Sequence, residues 1–140
     1  MSATRIESVL RERVRKRAGR VCEYCGLAED QGFLPFEVDH IIAEKHRGKT
    51  ILRNLAWSCF DCNRFKGSDI ASLDPLTGRL TRIFNPRRHK WNDHFRVAGG
   101  EIIPLTAIGR VTVETLKFNL PGRVEVRAIL VQAGRYPVDS

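Results

Sequence analysis

Residues 4–18 run without proline or glycine, and Ile6, Val9, Leu10, Arg13, Val14 and Arg17 follow an approximately helical period. Thr4 is placed to cap that helix, with Glu7 at the capping-box position and Gly19 as its stop. An amphipathic basic helix is expected there. The period then changes. Residues 26–35, with Gly26, Gly32 and Pro35, read as a loop, whereas residues 36–42 (Phe-Glu-Val-Asp-His-Ile-Ile) alternate and carry β-branched side chains, as a strand does. Residues 43–53 are polar, with Gly48 marking a turn, and Leu55 to Ser58 is a short apolar run. A helix begins or continues over Asn63 to Ser68, and Gly67 interrupts it early. Residues 74–78 (Asp-Pro-Leu-Thr-Gly) are a turn signal. Glu101 to Leu105 reads as a short strand. Val111 to Asn119 suits helix or strand, and Arg123 to Val131 is apolar enough to pack as either. No repeat or low-complexity stretch is present.

Composition narrows the class. A chain of 140 residues holds one domain, or a small domain with an appendage. At 42% hydrophobic residues it buries a modest core, which a structural metal would reinforce. The net charge of +8 is concentrated in two places. Residues 1–20 hold seven basic residues against two acidic, and residues 79–96 hold six against one, interleaved with Phe84, Trp91 and Phe95. Such clusters suit a polyanion through phosphate neutralisation, or are simply a solvated basic surface. No apolar run resembles a signal peptide, and none approaches the ~20 residues needed to cross a bilayer. The expectation is a cytoplasmic protein whose thiols stay reduced.

That setting favours metal ligation over disulfides for the cysteines. Cys22 and Cys25 form one CxxC and Cys59 and Cys62 another, with 33 residues between the two units. Two residues between thiols allow both sulfurs to reach one tetrahedral ion at about 2.3 Å. Two such knuckles use all four cysteines and leave no position open for water, so the zinc is structural. Two disulfides or four free thiols are the alternatives.

Between the knuckles stand Asp39-His40, Asn54 and Asn63. Thirteen residues separate His40 from Asn54 and eight separate Asn54 from Asn63. The zinc clamp is expected to bring the strand carrying Asp39 and His40 against the helix near Asn63. A neutral histidine, with an ordinary pKa of about 6.5, takes a proton from water, and a carboxylate with an amide oxygen suits Mg²⁺ or Mn²⁺. Neighbouring strand residues point to opposite faces, so this convergence requires a strand end or a bulge at Asp39-His40.

The segments CEYC (22–25), EVDHII (37–42) and NLAWSCFDCNRFKG (54–67), and more loosely DPLTG (74–78) and FNPRRHKWNDHF (84–95), resemble the HNH (His-Asn-His) endonuclease family, over about residues 21–95. The resemblance implies an α+β chain built on a treble-clef-like ββα-metal finger, with structural zinc on Cys22, Cys25, Cys59 and Cys62. It implies His40 as general base, Asp39 and Asn63 as ligands of a catalytic Mg²⁺ or Mn²⁺, and Asn54 as the residue that fixes the loop orienting His40. DNA, expected to be double-stranded, is the implied partner, cut by water to leave 5′-phosphate and 3′-hydroxyl ends. The family's final histidine is Asn63 here, an HNN variant that favours a hard cation.

The expected organisation is a basic helix (1–20), the nuclease core (21–70) and a small α/β extension packing on it (71–140). His46, Arg64 and Lys66, with Arg87, Arg88 and Lys90, are candidate nucleic-acid contacts. His89 and His94 read as surface residues, and Trp91 and Phe95 as core. A zinc module that binds nucleic acid without cutting it, or a protein-binding adaptor, are the rival readings.

Overall fold

Helix α1 (Ser8–Arg17) places its basic side chains Arg15, Lys16 and Arg17 in the last turn, where cations offset the negative end of the helix dipole. A computed structural model describes residues 6–138, so the cap expected from Thr4 lies outside the described residues. Glu7 stands at the capping position and makes no side-chain cap. Three of the arginines turn inward. Arg11 donates to the Phe36 carbonyl and lies 4.8 Å from the centre of the Trp57 ring. Arg15 bridges Glu12 and Glu29, and Arg17 donates to the Leu52 and Leu55 carbonyls. Three of the helix's five cations are thus engaged within the chain, and Arg13 and Lys16 remain exposed.

The chain divides after Ile70 into two compact units. In the first, β1 (Glu37–His40) and β2 (Leu55–Ser58) pair antiparallel, with Glu37 opposite Ser58, Val38 opposite Trp57, Asp39 opposite Ala56 and His40 opposite Leu55. All four residues of β2 are buried, so both of its faces are covered and its sequence shows no alternation. Helix α2 (Phe60–Lys66) follows at once, starting three residues before Asn63 and ending at Gly67. Two strands and a helix in that order make a ββα unit in an α+β chain. Trp57 anchors the core beneath it. The indole is 1% exposed, donates to Glu29 at 3.0 Å and packs against Phe36. Cutting a buried Trp to alanine typically costs about 3–5 kcal/mol.

The second unit opens with a hairpin the sequence showed only as a turn. β3 (Ala71–Leu73) and β4 (Leu80–Arg82) flank it, and their Leu73 and Leu80 side chains are exposed, which removes the alternation a strand needs to be read. After α3 (Trp91–His94), a second hairpin pairs β5 (Phe95–Ala98) with β6 (Glu101–Pro104). Phe95 is buried and touches Phe84, Trp91 and Phe118. The two segments left open between helix and strand are helices, α4 (Ala107–Thr115) and α5 (Pro121–Gln132). Thr106 caps the first by accepting from the Gly109 amide, and Pro121 starts the second at a position where a missing N–H costs nothing. Gly100 is required at the hairpin turn, since a Cβ there would stand 2.0 Å from the Val124 carbonyl oxygen.

Asp74 holds the first hairpin's turn. Its carboxylate accepts from the Leu76 amide and the Thr77 hydroxyl, and takes both Nε and Nη2 of Arg110 at 2.9 Å. The Arg110 guanidinium, helped by the turn's own donors, holds the Asp74 carboxyl well below the usual range. A depressed folded-state pKa contributes stability above the unfolded value of about 3.9 and loses it as pH falls towards the folded one. Asp74→Asn is therefore expected to unfold more readily than wild type at pH 7, with the gap closing as pH drops from about 5 towards 2. Parallel thermal melts across that range check it; a gap independent of pH would exclude the ion pair as its source.

Candidate active site and metal centre

Four thiols from two distant turns meet in one place. The sulfurs of Cys22, Cys25, Cys59 and Cys62 all lie within 4.8 Å of one another and all four residues are buried. A tetrahedral ion with bonds of about 2.3 Å sets its sulfurs ~3.8 Å apart, and Cys25 Sγ lies 3.7 Å from Cys59 Sγ. Each knuckle turns an amide towards its own sulfur: Cys25 N to Cys22 Sγ at 3.5 Å, and Cys62 N to Cys59 Sγ at 3.4 Å. The second of these is also the N-terminal cap of α2. Crowding by the Cys22 and Cys25 thiols pushes the Cys59 thiol up, and burial does the same to Cys62. Only a cation makes four thiolates tolerable in so small a volume. The donor set and spacing fit zinc.

The knuckle is tied to the strand by a side chain that sequence reasoning passed over. Tyr24, fully buried inside the first CxxC, donates its hydroxyl to Asp39 Oδ2 at 2.5 Å. The Lys66 ammonium, 2% exposed, meets the same carboxylate at 3.1 and 3.3 Å and donates to the carbonyls of His40 and Ile41, each at 3.2 Å. Burial pushes the Asp39 carboxyl up, against the opposing pull of Lys66 and Tyr24. Lys66 was expected to touch nucleic acid. It is instead sealed inside, because a buried carboxylate needs an opposite charge, and removing one partner of such a pair typically costs about 3–5 kcal/mol.

His40 is the last residue of β1, paired in unbroken register, so no bulge bends the strand there. Its Nε2 lies 2.9 Å from Thr50 Oγ1, whereas Asp39 turns to Tyr24 and Lys66. The carboxylate and the imidazole therefore hold separate partners. Asn63 and Lys66, three residues apart, share a face of α2, which sets Asn63 one turn from the group that meets Asp39. Asn63 is half-buried, and its side chain makes no hydrogen bond among the described residues.

Asn54 closes the β1–β2 connection. Its Oδ1 accepts from the Ile42 amide at 3.0 Å, and its Nδ2 donates to the carbonyls of Ile42 at 2.9 Å and Lys49 at 2.8 Å. Gly48 makes that closure possible: a Cβ there would fall 1.6 Å from the Ile42 oxygen and 2.9 Å from Asn54 Nδ2. The spacing between His40 and Asn54 signalled this pair; Thr50, an ordinary loop residue in sequence, carried no signal.

Among the remaining candidates, His46 is exposed on the same connection. Arg64 is exposed but lies 3.5 Å from Asp61 and stacks on the rings of Phe60 and Phe65. Arg87, Arg88 and Lys90 belong to the second unit, with Arg87 half-buried and the other two exposed. His89 and His94 sit against Phe84 and against each other. Among the described residues no helix is long and apolar enough to cross a membrane.

Comparison with known proteins bears on the first unit. Residues 22–69 match the family model described as HNH endonuclease. No curated protein and no solved structure matches the chain. The matched segment starts at the first zinc cysteine, takes in both knuckles, and ends just beyond α2. This chain therefore carries an HNH endonuclease-family domain in residues 22–69, with its four cysteines set to hold a metal as in the zinc-containing branch of that family.

Proposed function

We propose that this domain hydrolyses phosphodiester bonds of DNA with the help of a hard divalent cation. The observation that carries the reading is the fixing of His40 at the end of β1 by Thr50, on a connection closed by Asn54. In the tautomer that donates Nε2–H to Thr50, Nδ1 is the acceptor atom of the ring, and the proposed role requires that tautomer. Nδ1 takes a proton from the attacking water, whose oxygen forms the new bond to phosphorus as the bond to the 3′ oxygen breaks. The products are 5′-phosphate and 3′-hydroxyl ends. Asn54 touches no substrate in this scheme; it holds the backbone on which His40 is aimed.

Asn63 and Asp39 would hold the cation. An amide oxygen and a carboxylate are the donors that Mg²⁺ or Mn²⁺ takes, and the free side chain of Asn63 fits that use. Asp39 already serves Lys66 and Tyr24, so as a ligand it would share or exchange those contacts. When bound, such an ion stabilises charge on the phosphate and on the leaving oxygen.

Zinc-loaded protein incubated with supercoiled plasmid is expected to convert it to relaxed or linear forms with Mg²⁺ or Mn²⁺ and to leave it intact without added cation. Omitting the cation is a safer control than a chelator, which would also strip the structural zinc. Stable DNA binding with no conversion in any cation would favour the rival reading, a zinc module that binds without cutting.

A further inference from the structure

The connection between β1 and β2, residues 42–54, carries Lys45, Arg47, Lys49 and Arg53 against a single acid, Glu44. All four cations are exposed, and among the described residues none of them has an ion-pair partner. On α1, by comparison, Arg11, Arg15 and Arg17 are committed to internal carbonyls or carboxylates, and only Arg13 and Lys16 stay exposed and unpaired among the described residues. Arg64 has Asp61 and two aromatic rings, and Lys66 has Asp39. The four cations of the connection keep their charge for something outside the chain.

They also sit on a stiff frame. Asn54 ties the two ends and middle of the connection together, and a one-turn helix at Glu44–His46 is closed by the Arg47 amide on the Glu44 carbonyl. Arg47 takes the left-handed conformation at φ 71°, and the Thr50 hydroxyl ties the same segment to the His40 ring. Cations held at set positions lose little freedom when they meet a partner, so more of their attraction appears as binding. The partner must be anionic, must extend over several charges, and must present one of them at His40. A nucleic-acid backbone meets all three requirements.

We infer that Lys45, Arg47, Lys49 and Arg53 form the phosphate-binding surface that positions the DNA backbone on either side of the phosphate at which His40 activates water. The inference rests on the nuclease reading and adds to the candidate contacts four cations of the connection that also carries His46 and Thr50. Such contacts set register and carry no base information.

The test is equilibrium binding of a fluorescent DNA duplex at several salt concentrations, on a His40→Ala background without added cation. One variant combines Lys45→Gln, Arg47→Asn, Lys49→Gln and Arg53→Gln; asparagine is used at Arg47 because it tolerates the left-handed backbone. A second combines Arg13→Gln and Lys16→Gln on the exposed side of α1. Each lost phosphate contact lowers the slope of log affinity against log salt by about 0.9. The loop variant is expected to lose about 2–4 in slope, equally for unrelated sequences, and the α1 variant much less. An undiminished slope in the loop variant, with the parent binding normally, overturns this surface and leaves the nuclease reading standing. A parent that binds no DNA at low salt overturns both. Melting curves matching the parent's show that a changed slope is not a folding defect.

Discussion

His40→Ala is expected to slow plasmid cleavage by about 10²–10⁴-fold while zinc content and DNA affinity stay at wild-type levels. The size follows from the loss of a positioned base: water must then give its proton to solvent at the moment of attack. The side chain is 7% exposed and its hydrogen bond to Thr50 disappears with it, so some loss of stability accompanies the substitution. Two measurements separate the effects. Thermal melts report the fold, and duplex binding without added cation reports the surface. A variant that melts and binds like wild type but cuts slowly has lost chemistry alone. Cleavage at an undiminished rate would remove His40 from the mechanism.

Cys59→Ser is expected to abolish the cooperative unfolding of the first unit. Structural zinc contributes roughly 10–16 kcal/mol in small zinc-dependent folds, as much as or more than the whole stability of an ordinary domain. A serine hydroxyl stays protonated near neutral pH and is a poor replacement for thiolate. The loss should be visible as exposure of the Trp57 indole, now 1% exposed, through its fluorescence, and as absence of bound zinc by elemental analysis. Acidification should give the same result in wild type, since the ligands must be deprotonated to bind. A Cys59→Ser protein that melts cooperatively at the wild-type temperature would show that the thiols do not hold the fold.

The paired CxxC units and the interval from His40 to Asn54 were legible because they encode short-range geometry: two residues set a knuckle, and an amide spans a tight connection. The strand at Glu37–His40 and the run at Leu55–Ser58 were legible for the same reason, being bounded by turns. Lys66 was not. A lysine beside Gly67 reads as the exposed end of a helix, and nothing local announces that Asp39, 27 residues earlier, waits for it inside. The α1 cations were legible only as a charge cluster: that Arg11 and Arg17 donate to Phe36, Leu52 and Leu55 while Arg13 and Lys16 stay exposed is settled by packing, which the local sequence does not announce. In the second unit, the hairpin around Asp74 was hidden because its leucines face water. The choice between helix and strand for 107–115 and 121–132 rested on Thr106 and Pro121, single residues at the ends of β-branched runs.

One sulfur, that of Cys59, both joins the cluster of thiols and begins the helix on which Asn63 stands. Ion capture and helix capping therefore share one atom, and losing the ion is expected to loosen the start of that helix. On the proposed reading, an enzyme able to damage chromosomes then depends on its zinc for the placement of Asn63.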